Sequence, residues 1–175
     1  MPAVRVFLAH GASGSAASMM PHVRWLEARG IAAAPVQLPR TRAERAAATF
    51  LAAAPPAADV GVGGHSFGGR VAALLAAEHA YAGLLLLSYP LHPPGRSERW
   101  EERTAHWPNI SCPVLLISGD RDPFARIELL RAAVERLPRG ELVVFPGVGH
   151  GIGPVLEPAM ERAVEWLRAL STLPG

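Results

Sequence analysis

The sequence contains no lysine, only one cysteine and no long uninterrupted apolar run. All 17 basic residues are arginine, and together with the many alanines this indicates genomic base composition more than function. Cys112 cannot form an internal disulfide, which favours a reducing compartment, and we interpret it as a small buried hydrophobic residue. No apolar stretch approaches the ~20 residues that a membrane span needs, and the chain start lacks a signal-peptide cleavage site. We therefore predict a soluble, cytoplasmic protein.

Charge is also scarce. The formal net charge is +2, and no cluster of basic residues stands out along the chain. We therefore expect neither a nucleic acid nor a membrane as partner. Half of the residues are hydrophobic, and 175 residues suffice for one domain with a core, which we predict to span residues 1–175.

Short β-type runs alternate with longer helical runs throughout the chain. The predicted strands are Val4–Ala9, Ile31–Leu38, Val60–Gly63, Gly83–Ser88, Pro113–Ser118 and Glu141–Phe145. The predicted helices are Ala16–Arg29, Arg42–Ala54, 67–80, Phe124–Leu137 and Val155–Leu170. This alternation predicts an α/β fold, a three-layer αβα sandwich whose mostly parallel sheet has helices on both faces. The irregular stretch Tyr89–Ser111 is too short to be a separate lid domain.

The pentapeptide Gly64-His65-Ser66-Phe67-Gly68 has the pattern G-x-S-x-G. A strand-like stretch precedes it and a strong helix-forming stretch follows it. A serine in that position lies on a tight turn that exposes its hydroxyl beyond the sheet. An ordinary glycine-rich turn is the alternative, but the flanking strand and helix favour Ser66 as a nucleophile.

A serine hydroxyl attacks only when a base takes its proton, and the base is typically a histidine oriented by a carboxylate. Four histidines follow Ser66 along the chain. His79 falls in a predicted helix, and His92 and His106 precede any candidate acid. His150 follows the last strand in a loop between glycines, and we predict it as the base; the alternative is a surface-loop histidine.

The acid must be chosen among three aspartates. Asp59 precedes the serine, whereas Asp120 and Asp122 both follow the fifth strand. Either could orient the histidine, and either could instead cap the following helix. Their positions alone leave this choice open.

Two backbone N–H groups are needed to stabilise a developing oxyanion. We predict that one belongs to Phe67, directly after the serine, and the other to Ala12, in the loop that follows the first strand. His10 in the same loop is interpreted as structural.

The motifs together resemble those of the α/β hydrolase superfamily. They are His10-Gly11, Gly64-His65-Ser66-Phe67-Gly68, Gly119-x-x-Asp122-Pro123 and Gly149-His150-Gly151. The resemblance favours Asp122 as the acid, because that residue usually stands three positions after the glycine. More narrowly, 84–94 and 121–124 resemble a dienelactone-hydrolase-like subfamily. It includes testis-expressed hydrolase-like proteins and a subunit of a chromatin-bound acetyltransferase complex.

The resemblance implies a minimal α/β hydrolase fold with sheet order 2-1-3-4-5-6, without the first two strands of the larger pattern and without a cap domain. The site should then be open, and Tyr89 and His92 could line it or could form a structural turn. The predicted activity is that of a serine hydrolase, a carboxylic ester hydrolase that cleaves a small-molecule acyl substrate. It requires no metal and no organic cofactor. The alternative is an interaction or scaffold protein that retains the fold without catalysis.

Overall fold

A computed structural model describes residues 3–172, so the first two and last three residues of the predicted 1–175 domain lie outside the described residues. The strands are β1 (Arg5–Ala9), β2 (Ala33–Val36), β3 (Val60–His65), β4 (Gly83–Leu87), β5 (Val114–Gly119) and β6 (Gly140–Phe145). They form one sheet in the order β2-β1-β3-β4-β5-β6, and all neighbouring strands are parallel. The predicted order is confirmed.

Helices cover both faces of this sheet. They are α1 (Met20–Glu27), α2 (Ala43–Ala53), α3 (Phe67–Glu78), α4 (Trp100–Arg103), α5 (Ile127–Val134) and α6 (Leu156–Leu170). One hydrophobic cluster joins α2, α3 and α5 to one face, and a second joins α1 and α6 to the other. The three-layer architecture is therefore confirmed. Among the described helices, none is both long and apolar enough to span a bilayer.

The central strands are apolar because both of their faces are covered. Every residue of β4 and β5 is buried, including the four consecutive leucines of β4. At the two edges of the sheet, β2 and β6 are only partly buried. The sequence order reverses between β1 and β3, and open α/β sheets bind their ligands beyond the carboxyl ends of the strands at such a point.

The predicted helices agree with the described ones to within two residues at each end, except for two that are markedly shorter in the structure. The first, predicted over Ala16–Arg29, begins with a 3-10 turn at Ala16–Met19 and is α-helical only from Met20 to Glu27. The helix predicted over Phe124–Leu137 is confined to Ile127–Val134. Its start is delayed because the backbone N–H groups of Phe124 and Ala125 donate to Asp122, which closes a turn before the helix.

The connection from β4 to β5 is a compact segment, and no cap domain occurs within residues 3–172. It contains the short helix α4 between 3-10 turns at Ser97–Arg99 and Trp107–Asn109. Trp107 anchors the segment in the core, where its ring contacts Tyr89 edge-on with centroids 5.0 Å apart. The segment thus packs against the core of the domain.

Candidate active site

Ser66 lies on a strained turn between β3 and α3. Its backbone has φ 49° and ψ −114°, an unusual conformation for a residue with a side chain. The turn also passes very close to the end of β1, because a Cβ atom on Gly64 or Gly68 would collide with the Ala9 carbonyl oxygen. Only glycine fits at these two positions, which explains the spacing of the G-x-S-x-G motif. The N–H of Ser66 donates to the Leu87 carbonyl of β4 at 2.9 Å.

A series of hydrogen bonds runs from this serine to a buried carboxylate. The Ser66 hydroxyl lies 2.8 Å from Nε2 of His150, and Nδ1 of His150 lies 2.8 Å from Oδ2 of Asp122. The Asp122 side chain is fully buried, whereas His150 is 23% exposed. A carboxylate acceptor at Nδ1 keeps the proton on that nitrogen, so Nε2 is free to accept a proton from the serine.

Asp120, the alternative acid, has a different partner. Its Oδ1 accepts the Gly147 N–H at 2.7 Å and so holds the loop that carries His150. The two loops also meet through the Arg121 N–H, which donates to the Val148 carbonyl at 2.9 Å. This approach requires Gly119, since a Cβ atom there would collide with the same carbonyl. The structure therefore brings Asp122, and not Asp120, to His150.

Two further residues hold His150, and sequence reasoning assigned neither of them this role. Nε2 of His65 donates to the His150 carbonyl at 3.1 Å. The Phe124 ring packs against the imidazole of His150 with centroids 4.3 Å apart. Both residues lie inside motifs already singled out, next to Ser66 and two positions after Asp122. Their proximity to those residues is the only sequence signal for such a role.

Burial lowers the pKa of two other histidines, His65 and His22, and so favours their uncharged forms near neutral pH. It lowers the pKa of His65 below its ordinary value, and the hydrogen bond to the His150 carbonyl opposes this only in part. Burial lowers the pKa of His22 to about 4, and repulsion from His65, once that residue is protonated in acid, acts in the same direction. A neutral His65 places no full positive charge beside the imidazole of His150.

The half-buried His22 predicts a loss of stability in acid. An unfolded chain protonates His22 near pH 6.5, whereas the folded chain does so only near pH 4. Between these values the unfolded state binds more protons, so the free energy of unfolding falls as the pH falls. The expected slope for this group is at most roughly 1.4 kcal/mol per pH unit. Urea unfolding at several pH values should show a shallower decline for His22→Gln, and an unchanged slope would contradict this account.

The predicted oxyanion donors belong to two residues that line the same groove. Ala12 and Phe67 both line it, and their backbone N–H groups have no acceptor among the described residues. Phe67 is the first residue of α3, so its N–H has no partner inside the helix. The loop around Ala12 is held by His10, whose Nε2 accepts the Leu38 N–H at 3.0 Å while Nδ1 donates to the Gly11 carbonyl.

Tyr89 and His92 do not reach this groove, which corrects the expectation that they line the site. Tyr89 is fully buried, and its hydroxyl donates to the Arg103 carbonyl at 2.7 Å. His92 is also buried, and its Nε2 accepts the Arg126 N–H at 3.0 Å. Tyr89 thus joins two parts of the β4–β5 connection, and His92 binds that connection to the segment before α5, as in the structural alternative.

The order of the parallel sheet and the serine turn after β3 are those of an α/β hydrolase fold. The sequence profile of the alpha/beta hydrolase domain family matches residues 34–171, and the chain belongs to this family. The narrower resemblance to testis-expressed and dienelactone-hydrolase-like proteins is not confirmed. No curated protein matches the sequence.

Solved structures share this fold at low sequence identity. Paleococcus ferrophilus monoacylglycerol lipase has a TM-score of 0.80 and 18% identity, and the match covers 94% of each chain. Est1E from Butyrivibrio proteoclasticus has a TM-score of 0.79 and 18% identity, with 98% of this chain and 90% of the other covered. Thermogutta terrifontis esterase 2 phosphorylated by paraoxon has a TM-score of 0.75 and 19% identity, with 100% and 86% covered.

Proposed function

We propose that this protein is a serine hydrolase that cleaves an ester-like acyl substrate through a covalent acyl-enzyme. The observation that carries the proposal is the hydrogen-bonded series Ser66–His150–Asp122 beside two free backbone N–H groups. Serine nucleophiles require this combination of base, orienting carboxylate and oxyanion donors. The ester-hydrolysing neighbours of the same fold lend support, including the esterase that paraoxon phosphorylates.

In the first half of the reaction, Ser66 Oγ forms a bond to the carbonyl carbon of the ester while its proton passes to His150 Nε2. The negative charge that develops on the carbonyl oxygen is stabilised by the N–H groups of Phe67 and Ala12. The bond between carbon and the leaving oxygen then breaks, and His150 gives its proton to the departing alcohol. Asp122 stabilises the imidazolium that exists between these two proton transfers.

In the second half, water attacks the acyl-enzyme. His150 accepts a proton from the water, the new carbon–oxygen bond forms, and a second oxyanion occupies the same donors. Collapse of this intermediate breaks the bond to Ser66, which regains the proton from His150, and the carboxylic acid is released. These steps need no metal and no organic cofactor.

The uncapped site predicts a preference for short acyl chains. A buried methylene is worth about 0.8 kcal/mol, so an apolar tunnel would raise kcat/KM about three- to fourfold per added carbon. Without a cap little apolar surface surrounds a long chain, and remote binding energy is scarce. We expect turnover of short p-nitrophenyl esters with high KM and less than about a twofold gain per carbon beyond butyrate.

Kinetics on p-nitrophenyl esters of rising chain length test both parts of this proposal. A steady gain of three- to fourfold per carbon beyond butyrate would contradict the open site. Absence of turnover with every ester would contradict the hydrolase and favour the interaction protein that retains the fold.

A further inference from the structure

The groove that contains the oxyanion donors continues along the segment that follows β2. It has a volume of about 670 Å³, and three arginines are among the residues that line it. Besides Ala12 and Phe67, its lining consists of His10, Pro39, Arg40, Thr41, Arg42 and Arg45. A substrate substituent that extends from the predicted oxyanion donors into this groove would lie beside three arginines.

The positive charge of this groove is uncompensated. Arg40, Arg42 and Arg45 form no salt bridge among the described residues. The lining contains no aspartate or glutamate, and all three arginine side chains belong to exposed residues. Since the net charge of the whole protein is only +2, this is a local field rather than a consequence of overall charge.

The adjoining groove provides an internal comparison. It has a volume of about 470 Å³ and shares Arg42 and Phe67 with the first. Its positive charge is partly offset, because Glu44 and Glu102 also line it and Arg99 binds Glu102 at 2.8 Å. Of these two grooves, the one lined by both Ala12 and Phe67 has three arginines and no carboxylate in its lining.

We infer that the substrate is an ester that carries an anionic oxygen group, a carboxylate or a phosphate, a few atoms from the scissile carbonyl. This inference rests on the proposed hydrolase function and names its substrate class. Guanidinium groups present paired N–H donors that match the geometry of both anions. Because the arginines are exposed, the gain should be moderate and sensitive to salt.

The test compares anionic esters with neutral esters of matched size. On the acyl side, the p-nitrophenyl monoester of adipate is compared with p-nitrophenyl hexanoate. On the alcohol side, 4-carboxyphenyl butyrate is compared with its methyl ester. At low salt we expect kcat/KM to favour the anionic member of one pair about tenfold, mainly through KM. The pair that shows this preference identifies which part of the substrate occupies the groove.

The variants ask whether these arginines cause the preference. In Arg42→Gln/Arg45→Gln, kcat/KM for the anionic ester should exceed kcat/KM for the neutral ester by only about one- to twofold. About 1 M salt should lower this ratio in the wild-type protein to the same extent. Arg24→Gln/Arg131→Gln removes the same total charge from exposed positions outside the groove and should leave the ratio unchanged. Equal kcat/KM within both pairs, or an equal loss in the two double variants, would overturn the inference.

Binding to the Ser66→Ala protein separates this inference from the proposed function. Isothermal titration with adipate and with inorganic phosphate should show weak binding that Arg42→Gln/Arg45→Gln abolishes, and the tighter ligand indicates the anionic group. Such binding without turnover of any ester by the wild-type protein would refute the hydrolase and retain the anion site. Turnover without any anion preference or binding would refute the anion site alone.

Discussion

Replacing Ser66 by alanine is expected to lower kcat/KM for p-nitrophenyl butyrate by about 10⁴-fold or more. The change removes the hydroxyl that lies 2.8 Å from His150 Nε2, and no alanine atom can attack the carbonyl. The free energy of unfolding should change little, because one partly exposed oxygen is removed and the backbone of the turn is retained.

Ser88→Ala is a matched control for this substitution. Ser88 follows the neighbouring strand β4, also has a positive φ of 51°, and is fully buried. Its hydroxyl has no hydrogen-bond partner within residues 3–172. Activity should therefore persist in Ser88→Ala. Retention of wild-type turnover by Ser66→Ala would remove Ser66 from the mechanism and favour the non-catalytic alternative.

Asp122→Asn is expected to reduce kcat by about 10⁴-fold. The asparagine oxygen can still accept the Phe124 N–H, so the local turn should persist. Its amide, however, presents N–H donors to His150 Nδ1, which moves the imidazole proton to Nε2. In that tautomer the base cannot accept the serine proton.

Asp120→Asn provides the comparison at the same loop. The asparagine oxygen can still accept the Gly147 N–H, so we expect kcat within a few-fold of wild type and a stability loss of at most about 1 kcal/mol. Steady-state kinetics on both variants measure the ranking. A greater loss of kcat in Asp120→Asn than in Asp122→Asn would move the orienting role to Asp120.

Much of the fold could be predicted because hydrophobic runs and helical runs alternate cleanly. A parallel sheet follows from this alternation, and the resemblance to a known fold supplied its strand order. Helix ends were less predictable. The late start of α5 depends on Asp122, whose backbone and side chain bind the N–H groups of Ala125 and Phe124, and composition alone does not show this turn.

In the candidate site, the serine and the histidine could be predicted from position, but the acid could not. Ser66 and His150 stand out because their neighbouring glycines and strands place them in loops at one sheet edge. Asp120 and Asp122 could not be separated by position, because both lie in the same short loop. Their difference emerges only from geometry, where one binds His150 and the other binds the Gly147 N–H.

The groove lined by Arg40, Arg42 and Arg45 could not be predicted from the sequence. Arg40, Arg42 and Arg45 are spread over a loop and the first turn of α2, so they form no run of basic residues. In the structure they line the same groove, because the segment after β2 is bound to the loop after β1 through His10 and the Leu38 N–H. Conversely, Tyr89 and His92 follow β4 directly in the sequence, yet both side chains are buried.

The central claim is that Ser66 is an activated nucleophile, and covalent labelling tests it most directly. Wild-type protein treated with a fluorophosphonate should gain the mass of one probe per chain, and peptide mapping should place the adduct on Ser66. Ser88→Ala should be labelled in the same way, whereas Ser66→Ala should not be labelled. An unlabelled wild-type protein, or an adduct on any other residue, would contradict the account.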